Sequence, residues 1–252
     1  MYGTGGETGF TFWTNNAQVT ENKAPGKGFS FDVRSGEGDK FTSNRALVME
    51  TEEQKEGSAY MNFYPCPETA KGSASYDQLV IDLDYCYTGD ATQQYFQFFT
   101  SYSADSGASW KEYTNNFLRM SAAKFGYATG DSDAKVTPFS DENGEMTFEK
   151  GRWYNLKAVV NNGTNTLTLY IDGTQRYSGA LVPAEKLGEG MIGNTYRIKI
   201  AAAYQNSAVG TGAFALDNIR SYSYPQILED TYFHSSADNI SCLLYTSDAA
   251  DE

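Results

Sequence analysis

From Gln78 to Tyr87 apolar and acidic residues alternate, with Leu79, Ile81, Leu83, Tyr85 and Tyr87 on one side and Asp82 and Asp84 on the other. Successive side chains of an extended backbone point in opposite directions, so this segment predicts a strand with one wet face. The same period of two runs through Phe29 to Val33, Ala46 to Glu50, Ala59 to Tyr64, Tyr95 to Tyr102 and Phe117 to Phe125. It continues through Trp153 to Val160, Thr166 to Asp172, Tyr196 to Tyr204 and Ala213 to Tyr224. Clusters of Gly, Asn, Asp and Ser separate these runs, as polar turns separate half-buried strands. Asn162-Gly163 and Asp172-Gly173 predict hairpin turns that need positive backbone dihedrals. Helical periodicity is nearly absent, apart from a short helical turn predicted within Ala180 to Gly190. Strands without crossover helices predict an all-β fold, an antiparallel two-sheet β-sandwich.

Long polar loops are expected from Ser103 to Asn116 and from Thr129 to Asn143, covering one edge or mouth. No internal repeat interrupts residues 9–225, which predicts a single sandwich domain there. Residues 226–241 read as a linker or the start of a following domain, and 242–252, CLLYTSDAADE, as an in-frame sequencing-adapter translation. With 40% hydrophobic and 15% aromatic residues, the 252-residue chain can bury a sizeable core. No stretch approaches the roughly 20 apolar residues of a membrane helix, so membrane insertion is not expected. A net charge of -13 repels phosphate backbones and argues against nucleic acid as a partner. A hairpin around Lys71-Gly72 would put Cys66 opposite a residue near Asp77, far from Cys86, so no disulfide is expected between them. Their spacing carries no zinc signal.

Two segments carry a resemblance. Gly151-Arg152-Trp153-Tyr154-Asn155-Leu156-Lys157-Ala158-Val159-Val160, with Asn165-Thr166-Leu167-Thr168-Leu169-Tyr170-Ile171-Asp172-Gly173, resembles the concanavalin A-like lectin/glucanase superfamily, including its laminin G-like branch. Phe214-Ala215-Leu216-Asp217-Asn218-Ile219-Arg220-Ser221-Tyr222 is similar to the Asp-Asn-Ile strand that closes many such jelly rolls. The resemblance implies a concanavalin A-like jelly roll, an extracellular or cell-surface setting and glycan binding, although fold alone does not establish function. It also implies a test for catalysis. Glucanases of the superfamily place Glu-x-Asp-x-x-Glu or Glu-x-Asp-x-Glu on one strand, where carboxylates flank the scissile bond. Here the nearest match is Asp82-Leu83-Asp84, and the third position falls at Cys86 or Tyr87. Tyr196-Arg197-Ile198-Lys199-Ile200-Ala201-Ala202-Ala203-Tyr204-Gln205 resembles the Lys- and Tyr-rich strand of alginate-lyase-type jelly rolls, without their Arg-rich and Gln-x-His strands. The one histidine, His234, lies outside the sandwich span, which leaves no Ser-His-Asp triad to assemble within it. No catalytic residue is assigned.

Sugar recognition on a sandwich uses exposed aromatic faces and short polar side chains. Trp110 with Tyr113, and Tyr204 with Gln205, are the candidates at loops. Asp82, Asp84, Arg197 and Lys199, together with Lys157, are expected on outward faces that share one concave, mixed-charge surface. Opposite charges across neighbouring strands also stabilise ordinary sheets. Trp13 and Trp153 read as core. Two cofactor readings stay open: a structural calcium, with Asp217 its candidate ligand by resemblance to the closing motif and oxygen-rich loops at Gly36–Asp39 and Asp131–Asp133, or none, with Asp217 hydrogen-bonding a nearby backbone. The expectation is a noncatalytic extracellular carbohydrate-binding or adhesion module of a larger secreted bacterial-type protein, with a polysaccharide or glycan and neighbouring domains as partners. A glycoside hydrolase or polysaccharide lyase of the same fold, and a structural spacer, are the alternatives.

Overall fold

The computed structural model describes residues 10–14, 17–19, 23–24, 29–34, 46–51, 59–65, 77–103, 108–130, 135–187, 192–203 and 210–224. Side chains are described from residue 46 onward, those of 192–194 excepted. The strands are β1 (Phe10–Thr14), β2 (Ala17–Val19), β3 (Lys23–Ala24), β4 (Phe29–Arg34), β5 (Ala46–Thr51), β6 (Ala59–Phe63), β7 (Gln78–Tyr87), β8 (Tyr95–Ser103) and β9 (Lys111–Ser121). They continue as β10 (Lys124–Thr129), β11 (Thr137–Pro138), β12 (Ser140–Asp141), β13 (Gly144–Glu145), β14 (Trp153–Asn161), β15 (Thr166–Ile171), β16 (Thr174–Ala180), β17 (Ile192–Ala203) and β18 (Ala213–Tyr224). A 3-10 turn forms at Ala184–Lys186, where the sequence predicts it.

Two eight-stranded sheets form the sandwich. The first, sheet A, runs β11-β10-β9-β8-β17-β6-β1-β2, and the second, sheet B, runs β16-β15-β14-β7-β18-β5-β4-β3. All the pairings are antiparallel. The chain steps from β5 in sheet B to β6 in A, to β7 in B and to β8 in A, and the last two strands then return to the middle of each sheet. This criss-crossing order is that of a jelly roll. It also rules out the hairpin considered between the segments of Cys66 and Cys86, because β6 and β7 lie in opposite layers. Cys86 is a buried free thiol, pushed up to about 11 by burial, and Cys66 lies outside the described residues.

Alternation builds the core. Leu79, Ile81, Leu83, Tyr85 and Tyr87 of β7 face Phe96 and Phe98 of β8 and Ile198 and Ile200 of β17 across one continuous interior. Each such side chain contributes roughly 1.5–3 kcal/mol when fully buried. Tyr85 and Tyr87 in this interior find partners for their hydroxyls across the layers. Gln94 Nε2 donates to Tyr85 Oη at 2.6 Å while its Oε1 accepts from the Met120 amide at 3.0 Å. Tyr87 Oη donates to the Ala202 carbonyl at 3.1 Å. Burial raises the hydroxyls of Tyr85 and Tyr87 well above the usual phenol range, so both stay protonated.

Three local expectations change. The run Phe117 to Phe125 is a hairpin, β9 turning into β10, and β9 begins at Lys111, so the loop after Ser103 is shorter than its polar composition suggests. The stretch from Thr129 to Asn143 carries β11 and β12. In the β14–β15 connection the left-handed residue is Asn165, with φ 51°, and not Asn162 or Gly163. Its side chain explains the choice: Nδ2 donates to the Val182 carbonyl at 2.7 Å and Oδ1 accepts from the Val182 amide at 3.0 Å. The Asp172-Gly173 turn forms as expected, with φ 49° and 75°.

Candidate functional site

The sandwich has two outward faces, and they are chemically different. On sheet B the register aligns Arg220, Asp82 and Lys157 across β18, β7 and β14, and sets Asp84 beside Asn155. Asn155 Nδ2 donates to Asp82 Oδ1 at 2.8 Å and to Asp84 Oδ1 at 3.0 Å, and Asn218 Nδ2 donates to Asp84 Oδ2 at 2.7 Å. Amides and cations from adjacent strands thus surround the two carboxylates, an ordinary arrangement for stabilising a solvated sheet. Trp153, expected in the interior, packs instead on this outer face against Val48, Cys86 and Ala215.

Arg197 and Lys199 lie on β17, in sheet A. The concave surface that they were expected to share with Asp82, Asp84 and Lys157 is not formed, because the whole core stands between the two groups. Tyr113 is corrected as well: it is 4% exposed and packs in the interior, so its ring cannot stack on a sugar. Trp110 stands half-buried immediately before β9. Tyr204, Gln205, His234 and both oxygen-rich loops lie outside the described residues, as does the side chain of Trp13. Asp217 Oδ1 accepts from the Asn218 amide at 2.7 Å. Among the described residues no three carboxylate, histidine or cysteine side chains gather as a metal site.

The outer face of sheet A is where chemistry converges. Lys199 pairs with Asn62 of β6 on one side and with Gln97 of β8 on the other, giving a polar row across three strands. In the next row Ala201 lies between Tyr60 and Tyr95, and in the row before it Arg197 lies opposite Phe99. The Lys199 amine is 4.0 Å from the centre of the Tyr60 ring and 5.9 Å from that of Tyr95. The Arg197 guanidinium lies 3.7 Å from the centre of the Phe99 ring. A register shift between Thr195 and Arg197 adds Tyr196 to this group, its ring 5.8 Å from the guanidinium and its hydroxyl donating to the Glu112 carboxylate.

Burial sets the electrostatics. Lys199 is 8% exposed, and desolvation, aided by the charge of Arg197, lowers its amine to about 8. Desolvation first, and then the hydrogen bond to Glu112, raises the Tyr196 hydroxyl above its ordinary value. Two polar atoms here are buried without a hydrogen-bond partner in the protein, Asn62 Oδ1 and Arg197 Nε. An unmade hydrogen bond at a buried atom costs about 1–3 kcal/mol, so this face carries a local cost in stability.

Several solved structures are similar to this chain. An alginate lyase of polysaccharide lyase family 7 is similar with a TM-score of 0.49 and 9% identity, over 85% of this chain and 94% of that one. An endo-β-1,4-glucuronan lyase from the fungus Trichoderma reesei is similar with a TM-score of 0.45 and 11% identity, over 84% and 94%. A sialidase is similar with a TM-score of 0.43 and 12% identity; the match covers 72% of this chain but spans only 16% of the sialidase. No protein-family model matches the chain, and no curated protein matches it. At identities this low no residue role passes from these proteins to this one.

Sequence reasoning found Arg197 and Lys199 but missed Tyr60, Asn62, Gln97, Phe99 and Glu112. The available signal was alternation: Asn62 interrupts Met61 and Phe63, and Gln97 interrupts Phe96 and Phe98, so each marks an outward position. Alternation does not say which strands are neighbours. That β17 slots between β6 and β8, far from both in sequence, is a tertiary fact.

Proposed function

We propose that the outer face of sheet A holds an acidic polysaccharide and that the protein is a polysaccharide lyase, cleaving by β-elimination. One observation carries this reading: Arg197 and Lys199 stand two residues apart on one face among aromatic rings, in a chain of net charge -13. An acidic protein that concentrates cations beside rings has built a place for an anion with a hydrophobic side. A uronate sugar is such a ligand, since its CH face stacks on aromatic rings while its carboxylate pairs with cations. Neutralising that carboxylate makes the adjacent C–H more acidic, and this is what elimination requires. The alginate and glucuronan lyases are named for alginate and glucuronan; the reading here stands on the residues of the face. An extracellular setting beside further domains belongs to the same proposal.

Binding without cleavage is the second reading. It is favoured by the parking of both cations on rings and by the absence of histidine among the described residues. One experiment separates the two. The protein is offered acidic and neutral polysaccharides while the ultraviolet absorbance of the unsaturated product and the retention of each polymer are followed. Absorbance growing with an acidic polymer supports the lyase, and retention without absorbance supports the second reading. Neither signal with any acidic polymer would remove both.

A further inference from the structure

Resting on the lyase reading, we propose that Lys199 is the base of the elimination, taking the proton from the sugar carbon that bears the carboxylate. Its placement carries the inference. Lys199 sits at the middle of the row Asn62, Lys199, Gln97, on a strand central to sheet A. The faces of Tyr60 and Tyr95, from the strands on either side, flank its amine. Gln97 is itself held, its Nε2 donating to the Thr114 carbonyl at 2.7 Å. Arg197 is two residues away on the same face, about 7 Å by strand rise, a spacing that lets one side chain hold a carboxylate while the other reaches the neighbouring C–H. Asn62, in the same row, has its Oδ1 buried without a partner in the protein.

Tyr60 from β6 and Tyr95 from β8 flank the Lys199 amine and Arg197 of β17 acts on it; beyond them Arg119 of β9 lies over the Tyr95 ring, and Tyr196, beside Arg197, is bonded to Glu112 of β9. Arg197 and burial hold the amine near 8, so a neutral fraction exists in mildly alkaline solution. The step balances. The amine lone pair forms an N–H bond as the C–H bond breaks, and the released pair is delocalised into the carboxylate held by Arg197. That pair returns to form the carbon–carbon double bond as the C–O bond to the leaving sugar breaks with its electrons on oxygen, and the proton taken by the amine passes to that oxygen, directly or through water, restoring the neutral lysine.

The test compares the full chain with its Lys199→Met and Lys199→Arg variants, each checked for folding by circular dichroism. Formation of unsaturated product is measured across pH, and binding of the same acidic polymer is measured in parallel. The expected result is a wild-type kcat/KM that climbs with pH to a plateau above about 8, and a fall of about 100-fold or more in product formation for Lys199→Met, at least about tenfold beyond its loss of binding. Product formation in Lys199→Met within about fivefold of wild type would overturn the base while leaving the lyase reading in place. A wild-type profile already flat from about pH 6 would do the same without any variant. Absence of product from the wild type itself would overturn the lyase reading and this base together.

Discussion

Arg197 lies over Phe99, its guanidinium 3.7 Å from the ring centre, on strands that the register sets side by side. The ring holds a weakly hydrated planar cation in place while its Nε has no partner within the protein. Charge is thus pre-positioned at the face before any ligand arrives. Arg197→Ala is expected to weaken binding of an acidic polysaccharide about tenfold, equivalent to about 1.4 kcal/mol. Arg197→Lys should recover only part of that loss, because an ammonium cannot stack or fork as a guanidinium does. Isothermal titration of the two variants checks this; equal affinities for wild type and Arg197→Ala would contradict it.

Lys199 should leave a mark on stability as well as on chemistry. Its folded amine titrates near 8 and its unfolded amine near 10.5, so between those values the unfolded chain binds more protons and stability rises with pH. Below about pH 8 the folded protein carries the full penalty of a buried charge, about 3 kcal/mol for a shift of this size. Lys199→Met removes the penalty. Urea unfolding is expected to find the variant more stable than wild type at pH 7, with the gap narrowing toward pH 10. A gap that does not depend on pH would contradict the assignment.

Gln94 bridges the layers, donating to Tyr85 of sheet B and accepting from the Met120 amide of sheet A. Gln94→Ala leaves both groups buried and unmatched, and is expected to destabilise the fold by about 2–4 kcal/mol. Tyr85→Phe removes one hydroxyl and should lose less. Chemical denaturation of both variants tests that order.

Asp82 and Asp84 lie on the opposite side of the core from Lys199, so Asp82→Asn and Asp84→Asn should leave polysaccharide binding and product formation unchanged. Their effect is expected in stability alone, through the bonds to Asn155 and Asn218, and within about 1 kcal/mol each. Loss of binding in either variant would move the site to sheet B.

At Gly126 a Cβ atom would stand 2.2 Å from the Thr137 carbonyl oxygen and 2.9 Å from the Pro138 Cα, both backbone of the adjoining strand. Gly126→Ala therefore has to push β11 off the edge of sheet A, at about 1–3 kcal/mol. Hydrogen exchange localised to β10 and β11 would register the displacement.

Much of the architecture was legible in period-two alternation. It marked β7, β14, β15 and β18 nearly to their ends, because each has one face in the core and one in water. It failed where outward residues are themselves apolar. Tyr95, Phe99 and Phe117 face outward among polar neighbours, and Trp153 packs on the outer side of sheet B. Trp153 was read as core because burial is the usual fate of a large aromatic. The candidate site was half legible for a different reason. Arg197 and Lys199 announce themselves as charges in an apolar strand, but their companions come from segments roughly a hundred residues away, joined only by sheet order. Reading charge without sheet order also paired them with Asp82 and Asp84, which proved to be on the other layer.

The most direct test is a nuclear magnetic resonance titration of the isotope-labelled chain with a short uronate oligosaccharide and its neutral counterpart. The account predicts shifts with the uronate alone, centred on Asn62, Gln97, Arg197 and Lys199 across β6, β8 and β17. Shifts centred on β7, β14 and β18, or equal response to the neutral sugar, would contradict it.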